Sequence, residues 1–129
     1  MKVFLLIILT MLLFACKHDA MKNVVIEKPL PNDSLMCDTA MVTYSITIKN
    51  VLTENCSRCH GSSVYTTKGS GYNLEDYTVL KAEVDNGHVA KAINHSPGAV
   101  PMPLDQTQKM SDCNIRKIMI WIANGAPQN

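Results

Sequence analysis

NCSRCHGS, residues 55–62, holds two of the five cysteines of a 129-residue chain, Cys56 and Cys59, with His60 directly behind the second. Three chemistries use these letters: a zinc knuckle, a redox dithiol and the covalent attachment of a haem. A structural zinc site needs four ligands in a closed tetrahedral array, yet no second CxxC and no HxxxH follows, and Cys37 and Cys113 stand alone. A thioredoxin-like dithiol sits at a strand-to-helix turn of a βαβ unit, whereas the residues before Cys56 read as a helix. Haem attachment uses every letter. Two thiols are spaced to add across the two vinyl groups of one porphyrin, and an imidazole on the next residue can ligate iron.

The helix that leads into the motif is written in YSITIKNVLTENC. Tyr44, Ile48, Val51 and Leu52 fall at i, i+4, i+7 and i+8, with Ser45 placed to cap the start. A second helix closes the chain in MSDCNIRKIMIWIANGAP. Ser111 is its expected N-cap and Asp112 sits favourably in the first turn. Ile115, Ile118, Met119 and Ile122 make an inner face, and Gly125 with Pro127 gives a stop.

Between these helices GSSVYTTKGSGYN reads as loop, and YTVLKAEVDNGHVAKAIN as one or two short helices about Asn86-Gly87. HSPGAVPMPLDQTQ, with three prolines and a glycine, excludes regular structure. No run alternates apolar and polar residues as a half-buried strand would. The fold class expected is all-α, three to five helices with long loops.

The opening MKVFLLIILTMLLFAC carries one lysine and then an apolar run from Val3 to Ala15, broken only by Thr10. That run is short for a bilayer span and fits the h-region of an export signal. Leu13-Phe14-Ala15-Cys16 resembles the lipobox of bacterial lipoproteins, which implies cleavage before Cys16 and a diacylglyceryl group on its thiol. The expected division is therefore a removed signal over residues 1–15, a lipid-anchored tether over 16–36, and one domain over 37–129. The tether, rich in polar residues with Pro29 and Pro31, reaches roughly 60 Å if extended at ~3.1 Å per residue. The expected location is extracytoplasmic, on a bacterial membrane facing the periplasm or the cell surface.

The chain has 12 basic and 11 acidic residues, and loss of the signal removes only Lys2. A near-neutral mature protein with no basic stretch gives no sign of a nucleic-acid partner. Both Phe, Phe4 and Phe14, fall in the expected signal, so one Trp and no Phe in about one hundred residues make a thin core, and small domains of that kind usually carry a staple, a metal or a cofactor. A haem would supply apolar surface around which the helices pack.

A second axial ligand is expected from the C-terminal half. Met102, between Pro101 and Pro103, is the leading candidate because the prolines stiffen its loop. Met110 and Met119 compete less well, and His95 is the alternative that would give a bis-histidine iron. His88 reads as a surface or helix-end residue, and His18 lies in the tether.

CSRCH after an amphipathic helix, a Pro-Met-Pro loop and a last helix ending WIANGAPQN together resemble a small class I cytochrome c domain, over roughly Cys37 to Gln128. The resemblance implies one haem c held by Cys56 and Cys59, with His60 and Met102 on the iron. It also implies first and last helices that cross, with Trp121 as the aromatic of the last. Lipid takes Cys16 and haem takes Cys56 and Cys59, which leaves Cys37 and Cys113 to form a disulfide or remain as two buried thiols.

The expected function is a monohaem c-type cytochrome passing single electrons between extracytoplasmic redox proteins. No Ser/His/Asp arrangement and no paired carboxylates suggest hydrolytic or acid–base chemistry. Tyr65, Tyr72 and Tyr77 are candidate hydrogen-bond partners for the haem propionates. Two other classes stay open: a peroxidase-like or ligand-activating haem enzyme with an open axial site, and a haem-bearing accessory or sensor subunit of a membrane redox complex.

Overall fold

A computed structural model of the protein describes residues 37–129, apart from positions 105 and 107. The expected signal and tether, with Cys16 and His18, lie outside the described residues. Among the described residues the regular elements are all helical, so the fold is all-α. A π-helical turn π1 (Tyr44–Ile48) runs into α1 (Lys49–Asn55), followed by α2 (Ser57–His60), α3 (Tyr65–Lys68), α4 (Tyr77–Asp85), α5 (His88–Ile93) and α6 (Asp112–Ala123). The glycine- and serine-rich stretch after the motif thus contains one short helix, α3, where the composition reads as loop. No helix among the described residues is long and apolar enough to cross a membrane.

The apolar spacing before Cys56 serves its expected purpose, since Tyr44, Ile48, Val51 and Leu52 are all buried. How the helix starts is different. Ser45 does not cap it; Thr43 is the N-cap and makes no side-chain cap bond. The freed amides are taken up from the other end of the chain. Tyr44 N–H donates to Asn129 Oδ1 at 2.8 Å and Ser45 N–H to the Asn129 carbonyl at 2.8 Å. Helix-start amides have no partner within the helix and need an outside acceptor. The Ile48 N–H reaches back five residues to the Thr43 carbonyl at 3.0 Å, which makes the first turn wide.

Asp76 caps α4 by accepting from Thr78 N–H at 2.8 Å and Val79 N–H at 3.4 Å. Gly87, at φ 74°, then turns the chain between α4 and α5, a left-handed conformation that glycine adopts at little cost. At the last helix Ser111 Oγ accepts from Asn114 N–H at 3.2 Å, as expected of its N-cap, with Asp112 in the first turn. The stop is a Schellman motif: Ala126 N–H donates to the Trp121 carbonyl and Gly125 N–H to the Ile122 carbonyl, both at 2.9 Å, with Gly125 at φ 85°.

The buried face of α6 is narrower than the apolar pattern indicates. Ile118 and Trp121 are fully buried, whereas Ile115, Met119 and Ile122 are only partly covered. Trp121 stacks on Tyr44 at 5.8 Å between ring centroids, and Tyr44 meets Tyr77 edge-on at 5.0 Å. Such aromatic pairs contribute about 0.5–1.5 kcal/mol each beyond the area they bury. The first and last helical segments therefore pack together through Tyr44 and Trp121. Trp121 Nε1 donates to the Pro127 carbonyl at 2.9 Å, which folds the C-terminal residues back over the core.

Cys37 and Cys113 are joined by a disulfide, with Cα atoms 5.4 Å apart. It ties the residues before π1 to the first turn of α6, across a sequence separation of 76.

Candidate functional site

Cys56 ends α1, donating its N–H to the Leu52 carbonyl at 2.8 Å, and its φ of −121° breaks the helix there. The single turn α2 then begins anew. His60 N–H donates to the Cys56 carbonyl at 2.8 Å and Cys59 N–H to the same oxygen at 3.1 Å. Residues three and four apart in a helical turn share a face, so this turn groups Cys56, Cys59 and His60. Both cysteines are free thiols.

The segment Gly69–Glu75 runs back alongside this turn. The ring of His60 has its Nδ1 3.0 Å from the Tyr72 carbonyl oxygen. A carbonyl only accepts, so Nδ1 carries the proton and the lone pair of the neutral ring is left on Nε2. Leu74 N–H returns a bond to the His60 carbonyl at 2.9 Å. Glu75 closes the segment: its Oε2 accepts from Ser62 N–H at 2.9 Å and Ser62 Oγ at 2.7 Å. These bonds, with a smaller contribution from the Ser57 hydroxyl, hold the Glu75 carboxyl below its ordinary value.

Gly69 is where this segment touches the motif most closely. A Cβ there would lie 2.6 Å from the Cys59 carbonyl oxygen and 3.0 Å from His60 Nδ1. The first contact is with backbone and cannot be relieved by a side-chain rotation. Overpacking of this kind typically costs about 1–3 kcal/mol. Gly69→Ala is therefore expected to lower the stability by that amount in urea unfolding, while Thr66→Ala on exposed α3 leaves it nearly unchanged. Equal midpoints for the two variants would show that Gly69 does not need its small size.

Cys56, Cys59, His60 and Met102 all line one cavity of about 470 Å³. Its floor includes Leu52, Ile93 and Ile118 from α1, α5 and α6. Arg58 and Lys68 bring positive charge to its lining, and the Glu83–His88 pair, 2.8 Å apart, stands there too. This volume lies within the roughly 300–1,000 Å³ of small-molecule and cofactor sites.

Met102 is half-buried at this cavity. Its N–H donates to the Ala92 carbonyl at 3.0 Å, and His95 Nε2 lies 3.1 Å from its carbonyl oxygen. His95 is not among the residues that line the cavity. Met110 also lines it but is buried in the core cluster, and Met119 lies outside, its sulfur 3.5 Å from Asn94 Nδ2.

Of the three tyrosines considered for propionate contacts, only Tyr72 lines the cavity. The hydroxyl of Tyr77 is committed elsewhere, donating to the Ala126 carbonyl at 2.8 Å, and Tyr65 is not a lining residue. His88 is exposed, as its position at the start of α5 suggests, but stands at the cavity with Glu83. The Tyr72 carbonyl that orients His60 is not marked in the sequence, because any residue at that position offers one.

Burial against the core pushes the Cys56 thiol up to about 11. Redox dithiols work the other way, with a lowered thiol value that supplies thiolate near neutral pH. The disulfide takes two of the cysteines that a cysteine-rich zinc site would use. Among the described residues no group of three or more His, Cys, Asp or Glu is arranged to hold a metal ion directly. No protein-family model, curated protein or solved structure matches the chain.

Proposed function

We propose that the protein is a monohaem c-type cytochrome that carries single electrons between redox proteins outside the cytoplasm. The observation that carries this reading is the convergence of two free thiols, one imidazole and one thioether on a single largely apolar cavity. The donor set fits a haem c. Cys56 and Cys59 would hold it through thioethers, and His60 and Met102 would ligate its iron. Bound in this way, haem iron supplies a reversible one-electron couple whose potential a thioether ligand raises.

The chain's own residues prepare this site. The Tyr72 carbonyl fixes the His60 tautomer so that Nε2 is the donor, and hydrogen bonding at the other ring nitrogen strengthens that donor. Leu52, Ile93 and Ile118 keep the floor of the cavity apolar. Tyr72 and Lys68 give it polar groups of the kind that haem carboxylates need. The lipid on Cys16 would hold the domain at a membrane surface, since each buried CH₂ contributes about 0.8 kcal/mol. In this reading the partners are redox proteins and the domain acts as a monomer.

Absorption spectra of the chain from Lys17 onward, made in a host with haem-attachment machinery, test this proposal. The expected result is a covalently bound haem whose oxidised form shows the weak long-wavelength sulfur-to-iron band. That band disappears in Met102→Ala and persists in Met110→Ala. A covalent haem without the band would move the reading to bis-histidine ligation or an open-site enzyme. No haem at all would overturn it.

A further inference from the structure

We propose that His95 is a positioning residue that holds Met102 against the iron, an inference that rests on the reading of Met102 as an axial ligand. Helix α5 ends in a Schellman motif: Ser96 N–H donates to the Lys91 carbonyl at 2.9 Å and His95 N–H to the Ala92 carbonyl at 3.2 Å. The residue after the C-cap in that motif must be left-handed, and His95 has φ 54°. Helix α6 ends in the same motif with Gly125 in that position. A left-handed backbone is unfavourable for any residue with a Cβ and nearly free for glycine. A histidine held where glycine would be relaxed points to work done by its side chain.

That work is visible at Met102. The Met102 carbonyl can only accept, so His95 Nε2 donates the hydrogen of the 3.1 Å bond. On the other side the Met102 N–H is fixed to Ala92 at 3.0 Å. Both backbone groups of Met102 are thus pinned to the C-terminal end of α5, one by its main chain and one by the imidazole. The surrounding loop has few other means of anchorage, because Pro97, Pro101 and Pro103 have no N–H to give. The prolines stiffen the loop; His95 fixes where the stiff piece sits. The sulfur is then presented to the cavity without searching, and an external ligand competes with it poorly.

The test uses haem-loaded protein and titration of the oxidised iron with imidazole. In His95→Gly the helix end is relaxed, so the melting temperature is expected to hold or rise. The sulfur-to-iron band nevertheless weakens, and imidazole binds roughly two- to tenfold tighter, the range of one lost hydrogen bond. His95→Gln, which keeps a side-chain N–H donor, is expected to restore most of the band and the wild-type imidazole affinity. A merely structural role would instead lower the melting temperature and leave the imidazole affinity unchanged. Wild-type imidazole affinity in His95→Gly, with the band present in the wild type, would overturn this inference and leave the cytochrome reading standing. Absence of the band from haem-loaded wild type would overturn Met102 as the ligand, and this inference with it, and move the site to bis-histidine ligation or an open-site enzyme.

Discussion

Replacing Cys37 and Cys113 together by serine is expected to lower the melting temperature by roughly 20 °C. The disulfide closes a loop with a separation of 76 residues, and the loss of loop-closure entropy in the unfolded chain corresponds to about 4 kcal/mol. In a domain of this size each kcal/mol moves the midpoint by about 4–8 °C. The site of the crosslink adds to the case. It joins the entry of π1 to the first turn of α6, the two segments that meet through Tyr44 and Trp121. Once it is gone, residues 37–40 lose their covalent tie to α6. The check is thermal unfolding followed by helix circular dichroism, with and without a thiol reductant. Reductant should bring the wild type down to the serine variant and leave that variant where it was. Thioethers are not cleaved by reductant, so a haem held in the proposed way should stay bound in both. Coincident melts of wild type and variant would show that the bond adds nothing to stability.

Cys56 gives the second large effect, in chain made without haem-attachment machinery. With its thiol near 11 against an ordinary 9.0, only about 0.1 % is thiolate at pH 8, and alkylation by iodoacetamide is expected to run about a hundredfold slower than for an exposed peptide thiol. The rate should rise close to tenfold per pH unit until about pH 11. The same burial makes a statement about stability. The folded chain holds this proton more tightly than the unfolded one, so the contribution is fully present below about pH 9 and is lost as pH rises through about 11. Two pH units correspond to roughly 3 kcal/mol. Site-resolved mass spectrometry after timed alkylation measures the rate, and urea midpoints from pH 8 to 11 measure the stability. Rapid alkylation of Cys56 at pH 8, in chain whose circular dichroism shows the helices formed, would instead indicate an activated thiol and favour a redox dithiol at NCSRCHGS.

Much of the architecture could be read from short stretches. Ser111 and Asp112 start α6, Gly125 ends it, Asn86-Gly87 separates α4 from α5, and Tyr44, Ile48, Val51 and Leu52 on the spaced face before Cys56 are buried. The reading failed where a partner came from far along the chain. Ser45 looked like a cap, yet the first amides of π1 are satisfied by Asn129, 85 residues from Tyr44. Tyr77 looked available to a cofactor, yet its hydroxyl is spent on Ala126, 49 residues away.

What the sequence by itself determined is the set of local relations: the spacing of Cys56, Cys59 and His60, the helical periods, the caps and the proline-stiffened loop around Met102. These depend on residue type within about four positions, and residue type is what a sequence records. Only the tertiary structure decided that the Tyr72 carbonyl selects the donor nitrogen of His60, that Gly69 must leave room beside that ring, and that His95 grips Met102 from outside the cavity. The physical reason is common to the first and the third. Their acceptor is a backbone carbonyl, which every residue carries, so no letter marks it, and only the path of the folded chain brings one particular carbonyl within 3.0–3.1 Å of a histidine nitrogen.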